Sequence, residues 1–417
     1  MLPSLIPQFG PISDMRVLAS GSIFAMPYAA TLLADFGAQV IHIERPNYGD
    51  TMRNLAPVIR RDGKHIGAAW AQDSRNKLSL SLELNLKKHP ESKEIFYGLI
   101  KQSDVFMENM VWLEKLGIYD DELLKVNPKL VIVHVSGYGH EQFGGEPEVC
   151  NRPSYDLIGQ AFSGWLALQG HENEQPPVAK PYLNDYVAAM SAVFGTLLAF
   201  IHARKTGEGQ VVDVAQFEAM GMFMSGAFAA YGTDSYISPR LGNDNPAFQP
   251  YGIFKSSDGR DVAIAAFGPS VYGRFIKAIG FDAEYYSFKE CTSGIEAVAS
   301  PRGRELAEKI DEWCLSHTAE EIEDIMSKAR VACTRVNTPK DCYENKHFID
   351  RDDWITYKDE TLGSDVTAFG ISPKLSATPG RVWRGAPSLG EDTDRILKEL
   401  LGYDDAKISD LRDKGII

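Results

Sequence analysis

A chain of 417 residues, 44% of them hydrophobic, is long enough for two folded domains and too apolar to be disordered. Its 43 basic and 57 acidic residues leave a formal charge of -14, which excludes a general electrostatic attraction to nucleic acid or to an anionic membrane. A polyanionic ligand must therefore meet a local cluster of cations.

The opening MLPSLIPQFGPISDMR has early prolines and neither a basic nor a long apolar stretch, so no signal peptide is expected. Met15 to Ala19 reads as a strand, the residues to about Phe36 as a helix stopped by Gly37, and Gln39 to Glu44 as a second strand. Alternation continues with a strand in KLSLSLEL, a helix from Pro90 to Gln102, a strand at 104–109, a helix after Asp120 and a strand at 130–139. Strands alternating with helices predict an α/β fold built on a parallel sheet. A helical SYDLIGQAFSGWLAL follows, then a polar loop ending in KPYLND and a long apolar helix. The stretch from Tyr186 to Ile201 is short for a membrane span and is interrupted by Ser191, Gly195 and Thr196, so a helix buried in a core or a subunit interface is expected. From 225 to 330 short strands and amphipathic helices predict a smaller α+β domain, and 331–417 returns to helix and loop.

Chemical motifs are sparse. The first turn, SGSIFAMP, has only Gly21 where a dinucleotide fingerprint needs three glycines, and Arg45 after Glu44 suits a phosphate better than a ribose. The five cysteines are scattered, without metal-ligand spacing, and read as reduced cytosolic thiols. His134, His140, His171 and His202 lie at unrelated spacings, and GxSxG, HExxH and P-loop patterns are absent. Asn184 or Asp185, opening the apolar helix, reads on its own as an N-cap.

Several long segments, in order, resemble the class III CoA-transferases. They are the opening GPISDMRVLASGSIFAMPYAATLLADFGAQVIHIERPNYGDTMR, RNKLSLSLEL, NPKLVIVHVSGYG, SYDLIGQAFSG, YLNDYVAAMSAVFGTLLAFIHARKTGEGQVVDVAQFEA and RGAPSLGEDTDRILKELLGY. The resemblance implies a large Rossmann-like domain from both chain ends (1–224 and 331–417), a small domain at 225–330, and a homodimer of two interlocked subunits. It also implies a cytoplasmic enzyme that moves CoA from an acyl-CoA to a carboxylic acid, with coenzyme A as substrate and no prosthetic group, metal, nucleic acid or membrane partner. Asp185 stands where the family carries its catalytic aspartate, which forms an anhydride and then an aspartyl-CoA thioester. Ile23, Phe24, Ala25, Arg45, Asn76, Lys77, Leu82, Asn109 and Lys115 match the family's CoA contacts, and Tyr251-Gly252 or Gly268 match its glycine loop. The sequence departs from the pattern at ENMVWLEKLGI, where many relatives have a Gly-Pro turn and an arginine, and in SIFAMP, which lacks A-G-P.

Among branches, SYDLIGQAFSG, KPYLNDY and GEGQVVDVAQFEA are most similar to carnitine and bile-acid enzymes, leaving a betaine-type acid, a 2-hydroxy acid or a bile acid as substrate. A trimethylammonium group would need an aromatic cage, for which Phe24, Tyr28, Trp165, Tyr186 and Tyr251 are available. The alternative within this fold is an acyl-CoA racemase or epimerase pairing Asp185 with a histidine, for which His134 and His140 are the loose matches.

Overall fold

The computed structural model describes residues 4–110 and 112–417, so Met1 to Pro3 of the opening segment lie outside it. The chain forms two units: one holds the N-terminal segment to Trp165, Val178–Phe228 and Ile349–Ile417, and the other holds Leu166–Pro177 and Ala229–Phe348.

The first unit is built on six parallel strands, β1 (Arg16–Ser20), β2 (Gln39–Glu44), β3 (Leu78–Ser81), β4 (Val105–Glu108), β5 (Val131–Ser136) and β6 (Gln210–Ala215), in the order β3-β2-β1-β4-β5-β6. The order grows outward from β1 in both directions, as in doubly wound sheets, and leaves a crevice at the carboxyl ends where it reverses. Alternate strand residues face opposite layers. Leu18, Ile41, Phe106 and Ile132 pack with Phe96 and Leu99 of the helix Pro90–Ile100. Val17, Val40, Val105 and Val133 pack with Ala29 and Ala30 of the helix α1 (Ala25–Asp35) and with Ala188 and Ala192 of a long helix at Leu183–Thr206. The C-terminal segment caps the edge strand: the Ser79 and Ser81 amides donate to Asp392 Oδ2 (3.1 Å) and Thr393 Oγ1 (2.9 Å), occupying groups an open edge would expose.

The second unit carries an antiparallel sheet of Tyr251–Lys255, Asp261–Ala265 and Ala332–Arg335, packed on the helices Pro269–Ala278, Pro301–Leu315 and Ala319–Lys328. The division differs from sequence boundaries at 224 and 330 for two reasons. The strand at 332–335 pairs with 262–265, so the chain does not leave this unit until after that strand. Residues 166–177 join it through the Gly242 amide, which donates to Gly170 O (2.9 Å), and a bridge between His171 and Leu241.

Candidate active site

A cavity of about 830 Å³ runs along the carboxyl ends of all six strands. Asp185 and Gln216 lie at one end, and Arg45, Lys88, His89 and Lys115 also line it.

Asp185 is in the first turn of the helix Leu183–Thr206, here α2, which continues through alanine-rich turns to Arg204 and Lys205 and ends on Gly207 (φ +83). The helix is preceded by Tyr182 at φ +92, a left-handed non-glycine held by stacking on Phe24 (centroids 4.0 Å apart). Asp156 Oδ1 accepts the Asn184 and Asp185 amides (2.7 and 3.3 Å), so Asp156 rather than Asp185 serves the N-terminal donors. Asp185 is only 7% exposed. Burial and the charge of Asp156 push its carboxyl up to about 7, against the amide of Gln216, which donates to Oδ1. No hydrogen bond to Oδ2 is found among the described residues. The site therefore presents a poorly solvated carboxylate with one oxygen held and the other open, an arrangement suited to nucleophilic attack on an activated acyl carbon.

The turn after β1 borders the same cavity. Ile23 sits at φ +72, a strained conformation for a β-branched residue, and its amide donates to Asp50 Oδ1 (3.1 Å). Asn109 holds Ser22 from both sides, accepting from its N–H (3.1 Å) and donating to its carbonyl (2.8 Å). Gly21 allows that grip, because a Cβ there would fall 1.8 Å from Asn109 Oδ1. Asn109 thus builds the turn. Glu44, 3% exposed, is occupied by Arg53 (2.6 and 2.8 Å), Ser79 (2.6 Å) and the Asp50 amide (2.9 Å), so it is not free for a ribose.

Ile23, Phe24, Ala25, Arg45, Leu82, Asn109, Lys115 and Asp185 all line the cavity, but Asn76 and Lys77 do not. Those two precede β3 at its amino end, opposite the crevice, and both are fully buried. Asn76 Nδ2 donates to Asp35 Oδ1 (2.7 Å) and Arg381 O (2.8 Å). Lys77, which burial lowers to about 8, points at Asp73 O (3.4 Å). At the carboxyl end of the same strand Leu84, Asn85, Lys88 and His89 reach the cavity; the basic pair in LKKHP was the available signal. Gln216, Ser154 and Tyr155 also line the cavity; they lie in the segments GEGQVVDVAQFEA and SYDLIGQAFSG, which gave the resemblance but not these residues as part of the site.

His134 and His140 line a second cavity of about 570 Å³. His134 lies between Glu108 Oε1 (2.6 Å) and Asp120 Oδ2 (2.9 Å), stacked on His140 with ring centroids 4.2 Å apart. Burial opposes its charge, but the two carboxylates outweigh it and lift His134 to about 10. The aromatics considered for a cage mostly pack on one another: Phe24 on Tyr182, and Tyr28 edge-on to Tyr186, whose hydroxyl donates to Asp73 Oδ2 (2.8 Å). Tyr251 and Gly252 lie in a strand of the second unit, and Gly268 (φ +82) precedes its helix at 269–278.

Comparison with known proteins agrees with this architecture. The sequence pattern of CoA-transferase family III matches residues 12–393. The chain is 36% identical to the bile acid CoA-transferase BaiK of Clostridium scindens, covering 98% of this chain and 90% of that protein. A CaiB/BaiF family protein from Brucella suis superimposes with a TM-score of 0.80 at 23% identity, covering 94% of this chain and all (100%) of that one. Rv3272 from Mycobacterium tuberculosis gives 0.78 at 21% identity over 93% of this chain and 99% of its own. With the family pattern spanning residues 12–393 and 36% identity to BaiK over 98% of its own length, the chain belongs to CoA-transferase family III and is a CoA-transferase.

Proposed function

We propose that the enzyme transfers CoA from an acyl-CoA to a free carboxylic acid through covalent intermediates on Asp185. The observation that carries this reading is the buried, half-held carboxylate in a cavity that Arg45, Lys88 and Lys115 also line. Arg45, Lys88 and Lys115 neutralise the CoA phosphates, and the turn at Ile23, Phe24 and Ala25 receives the pantetheine arm. Asp185 attacks the thioester carbon to form a mixed anhydride. The released thiolate then attacks Cγ of Asp185 and expels the donor acid, and the acceptor acid runs both steps in reverse. Transfer is supported over isomerisation because, among the described residues, His89 is the one histidine lining this cavity; His134 and His140 line the other.

The acid is a large apolar carboxylate of the bile-acid class. BaiK, 36% identical over nearly the full chain, acts on bile acids by name, and the candidate cage residues Phe24, Tyr28 and Tyr186 are engaged with one another or with Tyr182. The working unit is an interlocked homodimer in the cytoplasm. Its interface is supported by Met190, Phe194, Leu198 and Ile201, which form an exposed apolar stripe at helical spacing on α2. The five cysteines are free thiols, as suits a reducing compartment.

Incubation with acetyl-, butyryl-, lactoyl-, crotonobetainyl- and cholyl-CoA, followed by hydroxylamine and mass spectrometry, tests the reading. Modification of Asp185, strongest with cholyl-CoA and absent from Asp185→Ala, is the expected result. An unmodified Asp185 together with α-proton exchange into deuterated solvent would mean isomerisation instead.

A further inference from the structure

Gln216 opens a short helix (Gln216–Gly221) directly after β6, so its side chain projects from the carboxyl edge of the sheet. It is 7% exposed and lies among the residues lining the Asp185 cavity. Its two ends are tied differently. Oε1 accepts from Ser154 Oγ (2.9 Å), and Nε2 donates to Asp185 Oδ1. An ionised Asp185, which can only accept, sets which end of the amide faces it, and the Ser154 hydroxyl, able to donate or accept, anchors the other end. In the flipped orientation the amide oxygen would oppose an ionised carboxylate oxygen. Gly137, just past the end of β5, makes room for this arrangement: a Cβ there would meet Ser154 Cβ at 2.1 Å. Three segments distant in sequence, 137, 154 and 216, thus converge to aim one N–H at one oxygen of Asp185.

We infer that Gln216 is a catalytic residue, the oxyanion donor for the two steps in which Cγ of Asp185 is the carbon attacked. The inference rests on the covalent transfer mechanism proposed above. In the anhydride, Oδ2 bridges to the acyl group and Oδ1 becomes the aspartyl carbonyl oxygen. As the CoA thiolate adds to Cγ, the C–S bond forms and the π pair moves onto Oδ1. Collapse restores the carbonyl and expels the donor carboxylate with Oδ2 of the former aspartate, leaving the aspartyl-CoA thioester. When the acceptor carboxylate adds to Cγ of that thioester, charge again gathers on Oδ1, and the thiolate leaves. In both steps the negative charge grows on the atom Gln216 already holds, and a preorganised donor there lowers the barrier. The two attacks on the acyl carbon place charge on the substrate's oxygen and need another donor. Gln216 therefore acts on half of the catalytic cycle.

The test follows the appearance of the CoA adduct on Asp185 by rapid quench and intact-protein mass spectrometry, using whichever of the five acyl-CoAs the wild type consumes fastest. Gln216→Leu removes the amide; Gln216→Met keeps the length of the side chain and offers Asp185 neither an N–H nor an O–H. Both should slow adduct formation on the order of 10²-fold. Acyl-CoA affinity, measured on an Asp185→Asn background, should stay within about twofold, because the donor acts on Asp185 and not on bound acyl-CoA. Ser154→Ala, which frees the amide to rotate, should slow the adduct about tenfold. Adduct formation at the wild-type rate in Gln216→Leu would overturn the inference while leaving covalent transfer intact. So would a Gln216→Met variant as fast as wild type, because it would reduce Gln216 to filler. If the wild type itself forms no adduct, the transfer mechanism fails first and the role of Gln216 with it.

Discussion

Two buried charge clusters border β5 and are organised in opposite ways. At His134 two carboxylates, Glu108 and Asp120, bracket one imidazolium, so each buried charge has a partner within 2.9 Å. At Asp185 the neighbours are a neutral amide and a second carboxylate, Asp156, and no cation lies within ion-pair distance among the described residues. Burial with partners holds a charge in place; burial without them leaves a carboxylate that gains by forming a bond. The first arrangement ties β4 to β5, and the second is the one proposed above to supply the nucleophile.

Substitutions separate the two. Asp185→Ala should lower CoA transfer on the order of 10⁴-fold or more while the protein stays folded, as measured by steady-state rates beside circular dichroism. His134→Ala should do the reverse. It strands Glu108 and Asp120, and denaturant unfolding should show a loss of about 3–5 kcal/mol. Asp185→Asn should stabilise the protein at pH 8 by on the order of 2–4 kcal/mol. The sign follows from the raised carboxyl: the folded state keeps its proton up to about 7 and the unfolded state loses it near 3.8, so stability falls as pH rises between them. The gain from Asp185→Asn should therefore vanish towards pH 4.

The pH dependences should also diverge. If Asp185 is the nucleophile, as proposed above, it must be ionised to attack, so kcat/KM for acyl-CoA should fall about tenfold per unit below pH 7 and level off above it. The stabilisation from His134 is present in full below its unfolded value of 6.5 and disappears as pH climbs through about 10. Chemical denaturation from pH 6 to 10 would follow that loss, which His134→Gln should remove. The smallest effects belong to the cation rim. Lys88→Ala or Lys115→Ala should each raise the KM for acyl-CoA about fivefold, less at high salt, and Lys77→Met should leave it unchanged.

The periodic elements were legible because burial imposes their pattern. Gln39–Glu44 is a strand over the same residues in sequence and structure, and Pro90–Ile100 stops two residues short of the helix read there. Side-chain convergence was not legible. Ser154, Gln216 and Gly137 lie in segments that carry the family resemblance, but nothing in those segments says that the three come together at the carboxyl ends of the strands. Asn76 and Lys77 mislead for a related reason: a polar pair beside a strand does not say at which end of the sheet it lies, and here it faces Asp35 and Asp73 rather than the crevice. The second unit runs past residue 330 because a four-residue strand, Ala332–Arg335, takes its place only through pairing with 262–265, which no local pattern announces.

The central claim is that the carboxylate of Asp185 forms and breaks covalent bonds in every turnover. Transfer run with an acceptor acid carrying heavy oxygen in its carboxylate tests it most directly, because the acceptor's oxygen that bridges the second anhydride departs with Asp185 when the thiolate attacks the acyl carbon. Digestion and mass spectrometry should then find heavy oxygen in the Asp185 side chain and in no other residue. A protein that has turned over many times with no heavy oxygen at Asp185 would contradict the account.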